Sequence, residues 1–229
     1  METVVIEEIE GLFTYLLETR LTPDCYSWIS TRGAELRKDD NYAQLARVFA
    51  QVPRYASKDL LGRQDKAIHE LCALIPGYNL GDWTVETLCR VWLLWQIPGA
   101  DPQTYHRNID ALFNGAEMNE QVALYKALPL LRYPDMWQRR CEEGIRSNIG
   151  LVLEAIMYDN PYPAAALSEA AWNQMVLKAF FTDKNVNKIY GLYARLNPAL
   201  QSTLMDYVQE RLAANRSVNP ELYELIEGA

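Results

Sequence analysis

The sequence lacks the residue patterns on which most known catalytic sites depend. Its only two histidines, His69 and His106, stand far apart and outside any H-E-x-x-H pattern. No serine lies in a G-x-S-x-G pattern, no cysteine carries a nucleophile signature, and neither a P-loop nor a G-x-G-x-x-G is present. These absences argue against a zinc protease, a serine hydrolase and a standard nucleotide-binding enzyme. We predict no catalytic residue, no metal site and no cofactor.

The chain also lacks paired cysteines, a basic surface and a long apolar run. Its net charge of −8 over 229 residues repels phosphate backbones, so nucleic acid is not an expected partner. Apolar runs such as Val91–Trp95 fall far short of the ~20 residues that span a bilayer, and the first residues are acidic where a signal peptide is basic. We expect a cytoplasmic protein that does not span a membrane, with reduced thiols at Cys25, Cys72, Cys89 and Cys141.

Helical periodicity fills the chain instead, and strand-like alternation is almost absent. Thr22-Pro23 and Asp101-Pro102 are typical helix starts. We predict an all-α fold of one domain, residues 1–229, built from stacked antiparallel helix pairs that resemble an irregular α-solenoid; a compact orthogonal bundle is the alternative. The predicted later helices cover Ala67–Leu74, Val85–Trp95, Thr104–Phe113, Asn119–Leu128, Met136–Tyr158 with a break near Gly150, Ala164–Phe181, a short piece at Ile189–Leu196, Pro198–Ala214 and Pro220–Ile226.

One helix, Val85–Trp95, is apolar over most of its circumference. Its polar residues are reduced to Thr87 and the i,i+4 pair Glu86 and Arg90. A helix of this kind is typical of a buried position. We therefore predict that it lies at the centre of the domain.

The stretch Asn-Pro-Tyr-Pro, which begins at Asn160, interrupts the helical pattern. Each proline disfavours the helical region at the residue before it, so Asn160 and Tyr162 are expected to be extended. On the following helix, Asn173 falls within an arc of apolar residues. A buried amide without a partner costs ~1–3 kcal/mol. We predict that Asn173 is buried and bonds to the Asn160–Pro163 turn.

A second asparagine, Asn148, falls beside Cys141 when the same helical count is applied to the preceding segment. It could close a break near Gly150 and be purely structural. Alternatively, Asn148 and Asn173 could face a polar pocket with Arg146 and Lys178, whose cations would orient an anion. The candidate ligand-binding residues are Arg146, Asn148, Asn160, Tyr162, Trp172, Asn173 and Lys178.

Several long segments resemble the EboA family of bacterial proteins. These are FAQVPRYASK (Phe49–Lys58), ALYKALPLLRYPD (Ala123–Asp135), EGIRSNI (Glu143–Ile149), EAIMYDNPYPA (Glu154–Ala164), AWNQMVLKAFF (Ala171–Phe181) and DYVQERLAANRSVNPELYEL (Asp206–Leu225). The chain departs from the family near its end, with Gln209 and Leu212 where relatives often carry His and Trp.

The resemblance implies a role in metabolite traffic. Proteins similar to EboA are encoded beside a membrane prenyltransferase-like protein, a TatD-like hydrolase and a sugar-phosphate-cyclase-like enzyme, in operons associated with the export of secondary metabolites or their precursors. The implied function is a noncatalytic accessory protein that binds a small-molecule metabolite or another protein of the ebo operon, including the membrane protein. The alternative is an enzyme that acts on a polar or anionic metabolite through Arg146, Asn148, Asn173 and Lys178.

Overall fold

The structure is a computed structural model that describes residues 3–38 and 41–228. Four short 3₁₀ turns link some of the α-helices, at Val52–Arg54, Leu128–Leu130, Pro134–Trp137 and Val186–Lys188. The α-helices are α1 (Thr3–Arg20), α2 (Pro23–Leu36), α3 (Tyr42–Gln51), α4 (Lys66–Leu74), α5 (Val85–Trp95), α6 (Pro102–Gly115), α7 (Met118–Ala127), α8 (Gln138–Ile145), α9 (Gly150–Met157), α10 (Tyr162–Ala166), α11 (Glu169–Phe181), α12 (Pro198–Ala213) and α13 (Glu221–Glu227).

The all-α prediction is confirmed. Within the described ranges the only β-type pairings are two isolated bridges, Leu60 with Thr84 and Tyr158 with Ile189. No helix in those ranges combines the length and apolar character needed to cross a membrane. The buried apolar side chains, from Ile9 near the start to Leu225 near the end, form one contiguous core. The single domain and the stacking of helix pairs stay predictions.

Helix starts follow the local signals in the sequence. The Thr22 hydroxyl accepts a hydrogen bond from the Cys25 N–H at the start of α2, and the Asp101 carboxylate accepts one from the Thr104 N–H at the start of α6. In both helices proline occupies the first position, where its missing N–H leaves no hydrogen bond unmade. Both predicted starts are confirmed.

The central helix is α5, as predicted. All of its residues except Trp95 are buried, and it packs against α1, α2 and α7. α2 approaches it closely at Gly33, where an added Cβ would lie 2.4 Å from the Trp92 ring. Inside this apolar environment Glu86 and Arg90 form an ion pair, and the guanidinium also donates to the Phe49 carbonyl. The pair lets α5 bury two charges that would otherwise oppose folding.

The structure confirms one predicted helix boundary and changes two others. The predicted helix Met136–Tyr158 is broken just before Gly150, as expected. The predicted helix Ala164–Phe181 is wrong as one element, because Leu167 is extended and the Ser168 hydroxyl caps a new helix by accepting from the Ala171 N–H. The predicted helical piece at Ile189–Leu196 is also wrong: it forms turns around Gly191, whose φ is +77°.

Candidate functional site

Asn173 bonds to a different partner from the one predicted. Its side chain is half-buried on α11 and exchanges two amide hydrogen bonds with Asn197, at 2.9 and 3.1 Å. Asn197 also caps α12 by accepting from the Leu200 N–H. The predicted bond from Asn173 to the Asn160–Pro163 turn is therefore wrong, because α10 intervenes and α11 faces α12 at this point.

The other predicted polar residues of this region do not converge. Asn148 is exposed in the loop between α8 and α9, so the prediction that it lies in an apolar arc is wrong: the helix ends before it. Arg146 is exposed and lies 4.0 Å from Glu142. Lys178 is half-buried and donates to the Ser147 carbonyl at 2.7 Å. Arg146, Lys178 and Asn173 thus have three separate neighbours, which are Glu142, Ser147 and Asn197.

Asn160, the first residue of the Asn-Pro-Tyr-Pro stretch, has a buried side-chain amide. Its NH₂ group donates to the carbonyls of Tyr125 and Ala155, at 3.1 and 3.0 Å, and its oxygen accepts from the Tyr162 N–H. Tyr162 begins α10 and is helical, so its predicted extended conformation is wrong; Pro163 occupies the second helical position, where proline is tolerated. The Tyr162 hydroxyl donates to the Pro134 carbonyl at 2.6 Å.

Trp172 is buried in the core under a cation. The Arg195 guanidinium lies 4.7 Å from the centre of its ring and donates to the carbonyls of Pro163, Ala164 and Leu167 at the end of α10. None of the seven predicted residues lines the two cavities that border Asn79 and Asp159. A role for these residues in ligand binding stays a prediction.

A cavity elsewhere has the features of a binding site. It has a volume of about 340 Å³, within the range of small-molecule pockets. We call it the lysine cavity, after Lys126. It is lined by Lys58, Leu60, Asn79, Asp82, Trp83, Thr84, Glu86, Thr87, Asn119, Val122, Lys126, Leu151, Glu154, Ala155, Tyr158, Asp159 and Lys188.

Two helix faces supply most of its walls. On α7, Asn119, Val122 and Lys126 follow the spacing i, i+3, i+7, which places them on one side of a helix. On α9 and the residue after it, Leu151, Glu154, Ala155 and Tyr158 follow i, i+3, i+4, i+7. Since α7 packs against both α5 and α9, the start of α5 closes a third side.

Every carboxylate that lines the lysine cavity is paired with a cation. Asp82 binds the Arg63 guanidinium at 2.5 Å and the Lys188 ammonium at 3.0 Å. The same guanidinium lies 3.3 Å from Asp159. The two remaining carboxylates pair with one cation each, Glu154 with Lys184 at 2.6 Å and Glu86 with Arg90. The protein thus satisfies the negative charges of the cavity internally.

Two lysines of the lining have no such partner among the described residues: Lys58, which is exposed, and Lys126, which is half-buried. The Lys126 ammonium lies 5.5 Å from the centre of the Trp83 ring, and it makes no hydrogen bond or ion pair within the described part of the chain. Burial lowers the pKa of this ammonium to about 8, although the carboxylates of Asp82, Asp159 and Glu154 raise it. The cavity therefore holds a partly desolvated cation without an anionic partner.

Tyr78 fixes the surroundings of this lysine. Its buried hydroxyl donates to the Lys126 carbonyl at 2.5 Å, which satisfies an acceptor in the last turn of α7. Its ring packs edge-to-face on Trp83, with 5.4 Å between the ring centres. One side chain thus holds both the backbone of Lys126 and the aromatic ring that faces its ammonium.

The backbone is strained at the edge of the cavity. Asp159 has a φ of +51°, a left-handed conformation that is uncommon for residues other than glycine. Its N–H donates to the Lys188 carbonyl and its carbonyl accepts from the Asn79 N–H. These bonds hold the strained residue. Burial raises the pKa of the Asp159 carboxyl group even though Arg63 and Lys188 oppose the shift.

A second cavity of about 510 Å³ shares Asn79, Asp159 and Lys188 with the lysine cavity.

No metal site accompanies this arrangement: in the described ranges no group of three or more His, Cys, Asp and Glu side chains is placed to hold an ion.

Comparison with known families identifies the chain. Residues 9–227 match the model of the metabolite traffic protein EboA. The chain belongs to the EboA family. No curated protein and no solved structure matches it significantly.

The lysine cavity of this EboA-family chain was not predicted from the sequence, although a signal was present. Lys126 is the only charged residue between Ala123 and Leu131, in a segment that is otherwise apolar. A single lysine in such a run points to a partly buried ammonium. Its carboxylate neighbours come from distant segments, so their arrangement could not be read from spacing.

Proposed function

We propose that this EboA-family protein is a noncatalytic accessory protein of metabolite traffic, which binds a small anionic metabolite in the lysine cavity. The observation that carries the proposal is the Lys126 ammonium, which has an aromatic neighbour but no anionic partner. A carboxylate or phosphate group of a ligand would supply the missing charge and form a charge-assisted hydrogen bond.

The rest of the cavity suits such a ligand. Its carboxylates do not compete for Lys126, because each is held by Arg63, Lys184, Lys188 or Arg90. Trp83 and Val122 offer apolar surface next to the ammonium. The volume of about 340 Å³ fits a compact metabolite rather than a polymer. The family description, metabolite traffic, agrees with a protein that holds a compound without changing it.

A protein that carries a metabolite must also exchange that metabolite with a partner protein. The expected partners are other proteins of the ebo operon, including the membrane prenyltransferase-like protein. We propose that such a partner supplies or receives the metabolite, a role that needs no membrane span in this chain.

The proposal is tested with benzoate and phenyl phosphate, two small anions with the same ring, and with neutral benzamide. Isothermal titration calorimetry on the whole protein should show one site per chain for at least one anion and at least tenfold weaker binding of benzamide. Lys126→Met removes the charge but keeps most of the apolar stem, so it should weaken anion binding at least tenfold.

Lys178→Met is the matched control, because Lys178 is also half-buried but bonds to the Ser147 carbonyl. It should retain the affinity of the natural protein. Equal anion affinity in Lys126→Met and the natural protein would overturn the proposal, as would the failure of both anions to bind in a Lys126-dependent way. Release of a chemically altered compound would favour an enzyme instead.

A further inference from the structure

The rim of the lysine cavity carries exposed apolar side chains. Leu60 is 63% exposed and Leu151 is 50% exposed, and both line the cavity. Two more exposed apolar residues, Met118 and Ile149, lie within two residues of Asn119 and Leu151 in the sequence. Single exposed leucines are common, but apolar residues from separate segments at the mouth of one cavity indicate a surface that something covers.

The position of Leu60 is fixed by the backbone. Leu60 pairs with Thr84 in an isolated antiparallel bridge, and the Leu61 N–H donates to the Trp83 carbonyl at 2.8 Å. In an extended segment successive side chains point to opposite sides, so the burial of Leu61 turns Leu60 outward. A polar residue would serve at such a position, and a leucine there leaves apolar surface in contact with water.

Leu151 lies at the rim on a helix, whereas Leu60 lies there on an extended segment. It lies in the first turn of α9, three and four residues before Glu154 and Ala155, which line the same cavity. The face of α9 therefore changes along its length, from an apolar residue at the mouth to the ion-paired carboxylate of Glu154 inside. On α7, Val122 likewise precedes Lys126 by one helical turn.

We infer that the ligand of the lysine cavity is an anionic amphiphile, with its charged group at Lys126 and an apolar chain that leaves across Val122 and covers Leu60 and Leu151. The inference rests on the proposed function and extends it from any small anion to one class of metabolite. Contact with the chain would remove both leucine side chains from water, which favours binding in proportion to the apolar area covered. An alkyl carboxylate and an alkyl phosphate share this chemistry.

The test compares ligands that differ in chain length alone: butyrate, hexanoate and octanoate, with octyl phosphate to separate the two headgroups, each below its micellar concentration. In calorimetry the natural protein should bind octanoate at least tenfold more tightly than butyrate, at one site per chain. The double variant Leu60→Ser/Leu151→Ser should lose at least fivefold of that gain, measured as the ratio of its octanoate affinity to its own butyrate affinity. Both positions are exposed, so the variant should keep its melting temperature.

Leu212→Ser is the control, because Leu212 is 55% exposed on α12 and lines neither the lysine cavity nor the second cavity beside it. It should bind octanoate as the natural protein does. Lys126-dependent binding of benzoate without a gain from chain length would overturn this inference and leave the proposed function standing. Octanoate binding that is unchanged in Lys126→Met would contradict the proposed function itself. If the leucine variant bound octanoate normally but adsorbed less to phosphatidylglycerol vesicles, the rim would be a membrane contact and the inference wrong.

Discussion

The polar groups around α11 and the charged groups of the lysine cavity are both partly buried, but they differ in their partners. On α11, Asn173 bonds to Asn197 and Lys178 to the Ser147 carbonyl. Arg195 satisfies the end of α10. In the lysine cavity the carboxylates are paired, whereas Lys126 faces only an aromatic ring within the described part of the chain.

The difference separates structural polar residues from candidate ligand contacts. A buried polar group costs free energy unless it is hydrogen-bonded, so most such groups serve the fold and bond to it. A charged group that lines a cavity and has no internal partner can bind a ligand, unlike the enclosed Trp172 indole N–H, which has no hydrogen-bond partner among the described residues and lines neither cavity. Substitution of a polar group that bonds to the protein should lower stability and spare anion binding. Substitution of Lys126 should spare stability and weaken anion binding.

The largest loss of stability is expected for Glu86→Gln. Glu86 lines the cavity, but it is paired with Arg90 inside the core. Removing its charge should cost about 3 kcal/mol of unfolding free energy, because Arg90 keeps a buried charge whose next carboxylates, on Glu117 and Glu120, lie 3.9 and 3.8 Å away. Urea denaturation measures the loss.

The double variant Glu86→Leu/Arg90→Met provides the control for this pair. It removes both charges and should be more stable than Glu86→Gln. If Glu86→Gln unfolded at the same urea concentration as the natural protein, the internal pairing would not be what stabilises these charges.

The next largest effect is expected for Asn160→Ala. This change removes the Asn160 partner of the Ala155 carbonyl and the Tyr162 N–H, and leaves the Tyr125 carbonyl with the Leu128 N–H alone. The expected cost is about 2 kcal/mol of unfolding free energy. Because Tyr125 and Ala155 adjoin Lys126 and Glu154, a folded variant with weakened benzoate binding would show that Asn160 also positions the cavity.

A smaller effect is expected for Asn173→Leu. The Asn197 side chain would lose one partner but would still cap α12, and water can reach this half-buried pair. Thermal or urea unfolding should show a loss of about 1 kcal/mol. Calorimetry with benzoate or phenyl phosphate should show unchanged affinity. Loss of anion binding with intact stability would instead support the alternative site around Asn173 on α11.

The smallest effect on stability at pH 7 is expected for Lys126→Met. Burial lowers the Lys126 pKa from its ordinary 10.5 to about 8, so between these pH values the unfolded chain binds this proton and the folded protein does not. The natural protein should therefore gain stability relative to the variant as pH rises from 7 to 10. At pH 7 the variant should be at least as stable as the natural protein.

Urea denaturation of both proteins at pH 7, 8.5 and 10 measures this relative gain. Lys178→Met serves as the reference for loss of a lysine that is bonded to the protein. A stability difference between Lys126→Met and the natural protein that stays constant over this range would show that the Lys126 ammonium is not desolvated.

Local patterns were enough to predict most of the helices, the caps at Thr22 and Asp101, the break before Gly150 and the burial of α5, because each depends on residues within a few turns of one another. The same patterns could not show that Leu167 and Ser168 divide the predicted helix that ends at Phe181. A serine inside an apolar stretch is compatible with both one helix and two.

By itself the sequence determined the all-α class and the family, but of the two asparagines that it placed in apolar arcs Asn173 is half-buried and Asn148 is exposed. The tertiary structure decided the hydrogen-bond partners: Asn197 for Asn173, and the carbonyls of α7 and α9 for Asn160. It also decided that Arg63, Lys184 and Lys188 take up the carboxylates around Lys126. These cations come from segments far apart in the chain, and the balance of charge at one point in space depends on distances that spacing along the chain does not contain.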